Sequence, residues 1–385
     1  MPNFNYWYNN VQALPSPMNK EQLHILHQEA IGLLRSLIAI PSMSGEEKQV
    51  SDYLQNYLQQ KGMNPQRSGN NIWCCNKNYN DALPSILLNS HVDTVKPASG
   101  YTKDPYQPEV EGDKLFGLGS TDAGASLVCL LGAFEYFFDQ ASLNYNIIFS
   151  ATAEEEISGK QGVESLFAYP AFSNIFLQPD SFAIVGEPTQ TQLAIAEKGL
   201  LVIDCMVTGK AGHAARNEGI NAINKAIEAI QWFNTFRFER TSPLLGGVHM
   251  NVTVIETENK LHNVVPASCH FVVDIRLNEL YTHEELLGII REAVDAEITP
   301  RSTRLRSSSI DPQHPVVQAG LKLGKQVYGS PTMSDQALIP LPSLKCGPGN
   351  SARSHTADEF VELSEMEAGL ECYIQLLDEL VTKSK

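Results

Sequence analysis

The sequence predicts an α/β protein in which a discontinuous domain, built on a central and largely parallel sheet flanked by helices, is interrupted by a smaller α+β insert. Three observations carry that fold class. Between residues 20 and 190, short apolar runs alternate with segments of helical period, the pattern of strands joined by crossover helices. Past residue 190 the runs lengthen into alternating strands with two amphipathic helices among them. After Pro300 helical periodicity resumes and the chain closes on a long helix. The expected divisions are 18–190 and 301–385 for the two parts of the main domain, with 191–300 as the insert. A length of 385 residues suits two domains, and 43% hydrophobic with 19% charged residues is ordinary globular composition.

The elements follow in order. From Lys20 to Leu37, apolar residues at Leu23, Leu26, Ile31, Leu34 and Leu37 keep close to a helical period, and Pro41 ends the segment. A second helix opens with Ser44 three residues before Glu47, a capping-box spacing, and closes at Gly62. NIWCCN, SILLNS and KLFGLGS read as short strands between turn residues, and residues 123–138 as a strongly apolar helix. YNIIFSATAEEE and SFAIVGEPT share one design, an apolar strand that runs into acid. In the insert, LAIAEKGLLVIDCMVTGK reads as one long alternating strand and residues 217–236 as an amphipathic helix. VHMNVTVIE and SCHFVVDIRL are strands, and THEELLGIIREAV is a second helix. Two helices with four strands in roughly 110 residues can form a compact core of their own. Beyond the insert come a helix in HPVVQAGLKLGKQVYG, the loop CGPGNSARSHTADEF and a closing helix over residues 364–382.

Composition excludes several classes of partner. A net charge of -16 argues against nucleic acid or an anionic membrane surface, both of which demand a basic face. No apolar run reaches the length of a membrane span. Seven cysteines, an odd number without a CxxC pair, indicate neither a disulfide framework nor a zinc ribbon, and a reducing cytoplasm is the expected compartment. The leading MPNFNYWYNNVQALPSP holds no Lys or Arg and no continuous apolar stretch, so it reads as an extended lead-in rather than a signal peptide, with Met18 an alternative start to Met1.

Chemistry-bearing residues collect at the ends of the expected strands, where open α/β sheets place their sites. His91 and Asp93 lie two apart past SILLNS, so on extended backbone both point the same way. Asp122 stands between Gly119 and Gly124 before the apolar helix, Glu154, Glu155 and Glu156 follow one strand, Glu187 follows another, and His355 lies in the last loop. Each alone has a plain reading: a solvated loop pair, a helix cap, an acidic turn, an exposed turn residue, a surface histidine. Together they would crowd carboxylates onto one sheet edge. Divalent cations are the natural neutraliser, and nitrogen and oxygen donors without cysteine suit Zn²⁺ or Co²⁺ better than Mn²⁺. A carboxylate shared by two ions about 3.5–4 Å apart would make a hydrolytic two-metal site.

SHVDTV, GLGSTDAGAS, TAEEEISG, IVGEPT, GKAGHAA and GPGNSARSHTADEF, in this order, resemble the acetylornithine deacetylase and succinyl-diaminopimelate desuccinylase family of co-catalytic zinc peptidases and amidohydrolases. The resemblance runs from Met18 onward and is nearest to the acetylornithine deacetylases. It implies a zinc-peptidase-like main domain and a ferredoxin-like lid that also serves dimerisation, with two Zn²⁺ ions for which Co²⁺ can substitute. His91 and Glu187 would bind one metal, Glu156 and His355 the other, and Asp122 would bridge them. Asp93 would orient His91, and Glu155 would be the general base; a register one residue earlier, with Glu154 as base and Glu155 as ligand, is the alternative. His213 would reach the substrate carbonyl, in family members often across a dimer interface, while Asn263, Arg276 and Arg353 would lie near the substrate. The implied reaction is hydrolysis of an N-acyl amino acid, foremost N-acetyl-L-ornithine in arginine biosynthesis. N-succinyl-ornithine, N-succinyl-diaminopimelate and small peptides are the rival substrates, and a non-catalytic metal-binding relative is the rival class. Ala123-Gly124-Ala125 after Asp122, and the lack of a proline soon after His213, depart from the family pattern beside the pocket, where they bear on substrate rather than metal.

Overall fold

A computed structural model describes residues 19–382. The expectations for the lead-in and for Met18 lie outside the described residues.

The helix Lys20–Ile38 begins where the Asn19 side chain accepts hydrogen bonds from the Glu21 and Gln22 N–H groups, and its buried face runs through Leu23, Leu26, Ala30, Leu33, Leu34 and Leu37. The second helix, Lys48–Gln60, starts a turn later than the capping box requires. Its N-cap is Glu47, which makes no capping bond. Ser44 is diverted because its hydroxyl donates to the Asp93 carboxylate at 2.7 Å. Glu47, fully buried, instead accepts from the N–H groups of Gly45 and Glu154 and from the Asn70 amide.

The central sheet has nine strands. Its middle is parallel: Asn146–Thr152, Ser85–His91, Phe182–Gly186 and Ser343–Cys346 lie side by side in that order. Its margins are antiparallel, with Asn71–Cys75 on one side and Leu193–Glu197 on the other. The middle strands read as unbroken apolar runs because both faces are covered. Alternate residues serve different layers. Ile86, Leu88, Ile147, Phe149 and Ile184 pack under the helices Lys20–Ile38, Ala125–Phe137 and Leu363–Val381. Leu87, Ile148, Ala183 and Val185 pack with Trp73, Phe172 and Phe176 on the opposite face. Since the middle strands are parallel, their carboxyl ends share one edge, and His91, Glu154–Glu156 and Glu187 are delivered there.

The segment expected as one long strand is two. Leu193–Glu197 is buried along its whole length in the central sheet, whereas Gly199–Thr208 alternates in burial and belongs to a separate antiparallel sheet. The chain returns close to the start of the second strand: a Cβ on Gly199 would stand 2.4 Å from the Ser307 nitrogen, so only glycine fits there. The second sheet orders its strands His249–Glu256, Ser268–Leu277, Gly199–Thr208 and Glu297–Pro300, all antiparallel. The helices Ala222–Thr235 and His283–Ala293 cover one face and share a core with Leu201, Ile203, Cys205, Phe271 and Val273.

Candidate metal centre

His91 ends its strand with the side chain buried. Its Nδ1–H donates to the main-chain carbonyl of Asp93 at 2.9 Å, so the ring is fixed by the backbone of Asp93 more closely than by its carboxylate, whose Oδ1 lies 3.5 Å away. That bond leaves Nε2 aimed at Asp122 Oδ1, 3.3 Å distant. Two lone pairs cannot face each other at that range without a proton or a cation between them, so the geometry suits metal ligation. The Asp93 carboxylate has further partners: it accepts from the Ser44 hydroxyl and from the N–H groups of Glu155 and Glu156, each of the latter at 3.1 Å. One buried aspartate thus holds both sides of the site.

Asp122 sits in the turn Ser120–Gly124, in non-helical backbone, and does not cap the helix that follows. Its turn is held from behind. The buried Glu359 carboxylate accepts from the N–H groups of Gly119, Thr121 and Asp122 at 3.0, 2.8 and 3.0 Å. Asp122 Oδ2 accepts from the Ser354 hydroxyl and faces His355 Nε2 at 3.7 Å. His355 Nε2 also lies 3.0 Å from Glu156 Oε2.

Two groups of side chains therefore converge: His91, Asp122 and Glu187 offer ligand atoms within 4.8 Å of one another, and so do Asp122, Glu156 and His355. Asp122 belongs to both. Burial, then the Asp122 charge, push the Glu187 carboxyl up to about 8. Burial also drives Glu155 well above the usual carboxylate range, against the pull of His91 and with the help of Glu187, Asp335 and Glu156. At Asp122 burial pushes upward too, but hydrogen bonds and charge from His91, Ser354 and His355 outweigh it and bring the group down. Such a cluster stays ionised at neutral pH only beside positive charge, and its hard oxygen and imidazole donors fit a divalent ion of the zinc type.

The sequence profile of peptidase family M20/M25/M40 matches residues 87–379. The chain belongs to that family. It is accordingly a metal-dependent hydrolase. A [LysW]-lysine/[LysW]-ornithine hydrolase of Sulfurisphaera tokodaii is 26% identical over 92% of this chain and 96% of its own length. An acetylornithine deacetylase of Proteus mirabilis is 27% identical over 92% of this chain and 97% of its own. Among solved structures, the aminopeptidase PepT of Bacillus cereus superposes with a TM-score of 0.74 at 17% identity, covering 92% of this chain and 98% of that one.

In this family member the remaining expected residues are not members of the two ligand groups. His213 is exposed at a two-residue strand paired with Val264–Val265, its Nδ1 accepting from the Ala215 N–H, and Asn263 is exposed beside it. The Arg276 fork is spent on Asp274 of its own strand, at 2.9 and 3.1 Å. Arg353 binds Glu365 at 2.6 Å and stacks on Phe360. Glu154 serves the loop: its Oε2 accepts from the Gln161 N–H at 2.9 Å. Sequence reasoning missed Glu359 and Asp335. The latter is buried and accepts from Asn89 and Thr152 below the site. Neither follows an apolar strand, the signal that exposed the others.

Proposed function

We propose that the protein is a dinuclear zinc amidohydrolase that removes the acyl group from an N-acyl amino acid, with N-acetyl-L-ornithine the foremost substrate. The observation that carries this reading is the sharing of Asp122 between two three-residue ligand groups, with the half-buried Glu155 next in sequence to Glu156 and its carboxyl raised by desolvation and by the neighbouring Glu187, Asp335 and Glu156. His91, Asp122 and Glu187 would hold one ion, and Asp122, Glu156 and His355 the other. Zn²⁺ bound there, or Co²⁺ in its place, supplies Lewis acidity to the scissile carbonyl and acidifies a water. Glu155 takes the proton of the attacking water and returns it to the departing amine. Asp93 keeps the His91 ring and the Glu155–Glu156 backbone in register. Glu359 fixes the turn that carries Asp122.

His213 donates to the developing oxyanion, and its exposed position, together with that of Asn263, supports action on the site of a second subunit. The insert, expected over 191–300 and with its own sheet between Gly199 and Pro300, serves as lid and dimerisation surface. Arg276, and Arg353 once released from Glu365, are the candidate contacts for the substrate carboxylate. The negative charge supports the reading that neither nucleic acid nor a membrane surface is a partner, and among the described residues no helix is long and apolar enough to cross a membrane. The free, mostly buried cysteines suit the cytoplasm.

The deciding experiment measures amine release from N-acetyl-L-ornithine, N-succinyl-ornithine, N-succinyl-diaminopimelate and a dipeptide, before and after chelation. The acetyl substrate is expected to lead by tenfold or more, to fail after chelation and to recover with Zn²⁺ or Co²⁺. Preference for a succinyl substrate would move the assignment to the desuccinylases, and full turnover without metal would defeat the mechanism.

A further inference from the structure

The segment RSTRLRS, residues 301–307, brings the chain back from the second sheet to the central one, and each of its arginines grips something different. Arg301 binds the Asp204 carboxylate of the second sheet through Nε and Nη2, at 2.7 and 2.9 Å. Arg306 donates to the Ile339 carbonyl at 2.5 Å. Arg304 reaches the loop that carries Glu155 and Glu156. It pairs with Glu164 at 2.6 Å and donates to the Ser158 carbonyl from both terminal nitrogens at 3.3 Å, with the Gly159 carbonyl at 3.5 Å.

Those two carbonyls are one hydrogen bond away from the acidic triplet. The Ser158 N–H donates to the Glu155 carbonyl and the Gly159 N–H to the Glu154 carbonyl, both at 2.8 Å. The turn is also strained: Glu154 and Ser158 hold φ of 56° and 48°, a left-handed conformation that side chains rarely keep unless their surroundings enforce it. Other restraints on it, from Asp93, Glu47 and Asn71, come from the first part of the chain. Arg304 acts from the returning segment 301–307, which is tied to the outgoing chain by the Leu200 N–H to Leu305 carbonyl bond and the Ser307 hydroxyl to Glu197 carbonyl bond.

We propose that Arg304 is a positioning residue for the reaction: it fixes the strained turn at residues 154–159, and through it the base and a metal ligand, to the segment by which the insert rejoins the main domain. This rests on the reading of Glu155 and Glu156 as base and ligand. A planar guanidinium can serve a carboxylate and two carbonyls at once, whereas a lysine ammonium is a point charge that can satisfy only part of that set.

The test compares the full-length, Zn²⁺-loaded wild type with Arg304→Ala, Arg304→Lys and Glu164→Gln. Amide hydrogen exchange is followed by peptide, and turnover is measured with N-acetyl-L-ornithine. Both Arg304 variants are expected to exchange at least tenfold faster in peptides spanning 154–162 while the strands of both sheets keep wild-type rates. Their kcat is expected to fall tenfold or more with KM within threefold. Glu164→Gln, which leaves the carbonyl contacts in place, is expected to stay within threefold of wild type in both readouts. Wild-type exchange in the loop, or acceleration spread evenly over the whole chain, would overturn the proposal, as would an unchanged kcat. Should Arg304→Ala fail to fold, Arg304→Lys decides by the same criteria. The exchange readout requires no substrate, so a wild type inactive on N-acetyl-L-ornithine would refute the substrate assignment and leave the role of Arg304 to be judged on its own.

Discussion

Glu155 and Glu154 are adjacent acids with opposite surroundings, and that contrast decides what each substitution does. Both are half-buried, but the Glu155 carboxyl feels His91, Glu187, Asp335 and Glu156, whereas Glu154 staples its own loop through the Gln161 N–H. Glu155→Gln keeps the shape and removes the proton acceptor, so kcat is expected to fall by roughly a hundredfold or more with bound metal unchanged. Glu154→Gln is expected to remain active; the reverse pattern, scored by turnover and metal analysis on both variants, would shift the base by one residue. Asp335 gives a pH-dependent case. Burial raises its carboxyl to about 6, above its ordinary value near 3.8, despite hydrogen bonds from Thr152 and Asn89. A raised acid contributes stability that is fully present below the unfolded value and lost as pH climbs through the folded one. At pH 8 the wild type therefore carries a buried charge costing roughly 3 kcal/mol at most, from about two units at about 1.4 kcal/mol each. Asp335→Asn is expected to raise Tm at pH 8 by clearly more than at pH 5, and equal shifts at both would refute the account.

Among the elements, two capping-box spacings in the sequence have different fates. Thr282 and Glu285 form the reciprocal pair at the start of the helix His283–Ala293, while Ser44 and Glu47 do not. Thr282→Ala is expected to lower stability by about 1 kcal/mol in denaturant unfolding without touching turnover. Ser44→Ala should do the opposite, sparing the helix and lowering kcat, because its hydroxyl supports Asp93. A loss of helix stability in Ser44→Ala with normal kcat would contradict this. The same contrast shows what the sequence makes legible. Local spacing was enough for the existence of the helices and for the buried middle strands, and the acids and imidazoles at strand ends and in adjacent loops marked out His91, Asp122, the Glu154–Glu156 triplet, Glu187 and His355, while only the family resemblance divided them into ligands and base. Spacing could not show that Ser44 is claimed by a residue 49 positions away, or that Leu193–Glu197 and Gly199–Thr208 belong to two different sheets. Strands of three residues such as Glu109–Glu111 and Phe360–Glu362 carry no period to read, and Glu359 and Arg304 gain their roles only through contacts made by distant backbone.

At the scale of the whole molecule, the second sheet leaves the strand His249–Glu256 paired on one side alone. An open edge is a template for a further strand. This one carries Val254 and Ile255 at 45% and 53% exposed, and the helix beside it presents Ile227 at 53%. A two-fold axis at that edge would bury the same residues from both copies, against a net charge of -16 per chain that favours separation at low salt. Light scattering is accordingly expected to report twice the 42.5 kDa chain mass at moderate ionic strength, and Ile255→Lys to report one. The dimer matters chemically if His213 works on the partner's metals. His213→Ala and Glu155→Gln proteins would each be inactive alone, yet a mixed dimer holds one site with Glu155 from one chain and His213 from the other. Random reassortment makes half the dimers mixed and half of their sites intact, so about a quarter of wild-type turnover should return on mixing. Mixtures that stay inactive after verified subunit exchange would place His213 at its own chain's site, and a His213→Ala protein active by itself would place it outside the reaction; either result would leave the insert as a lid alone.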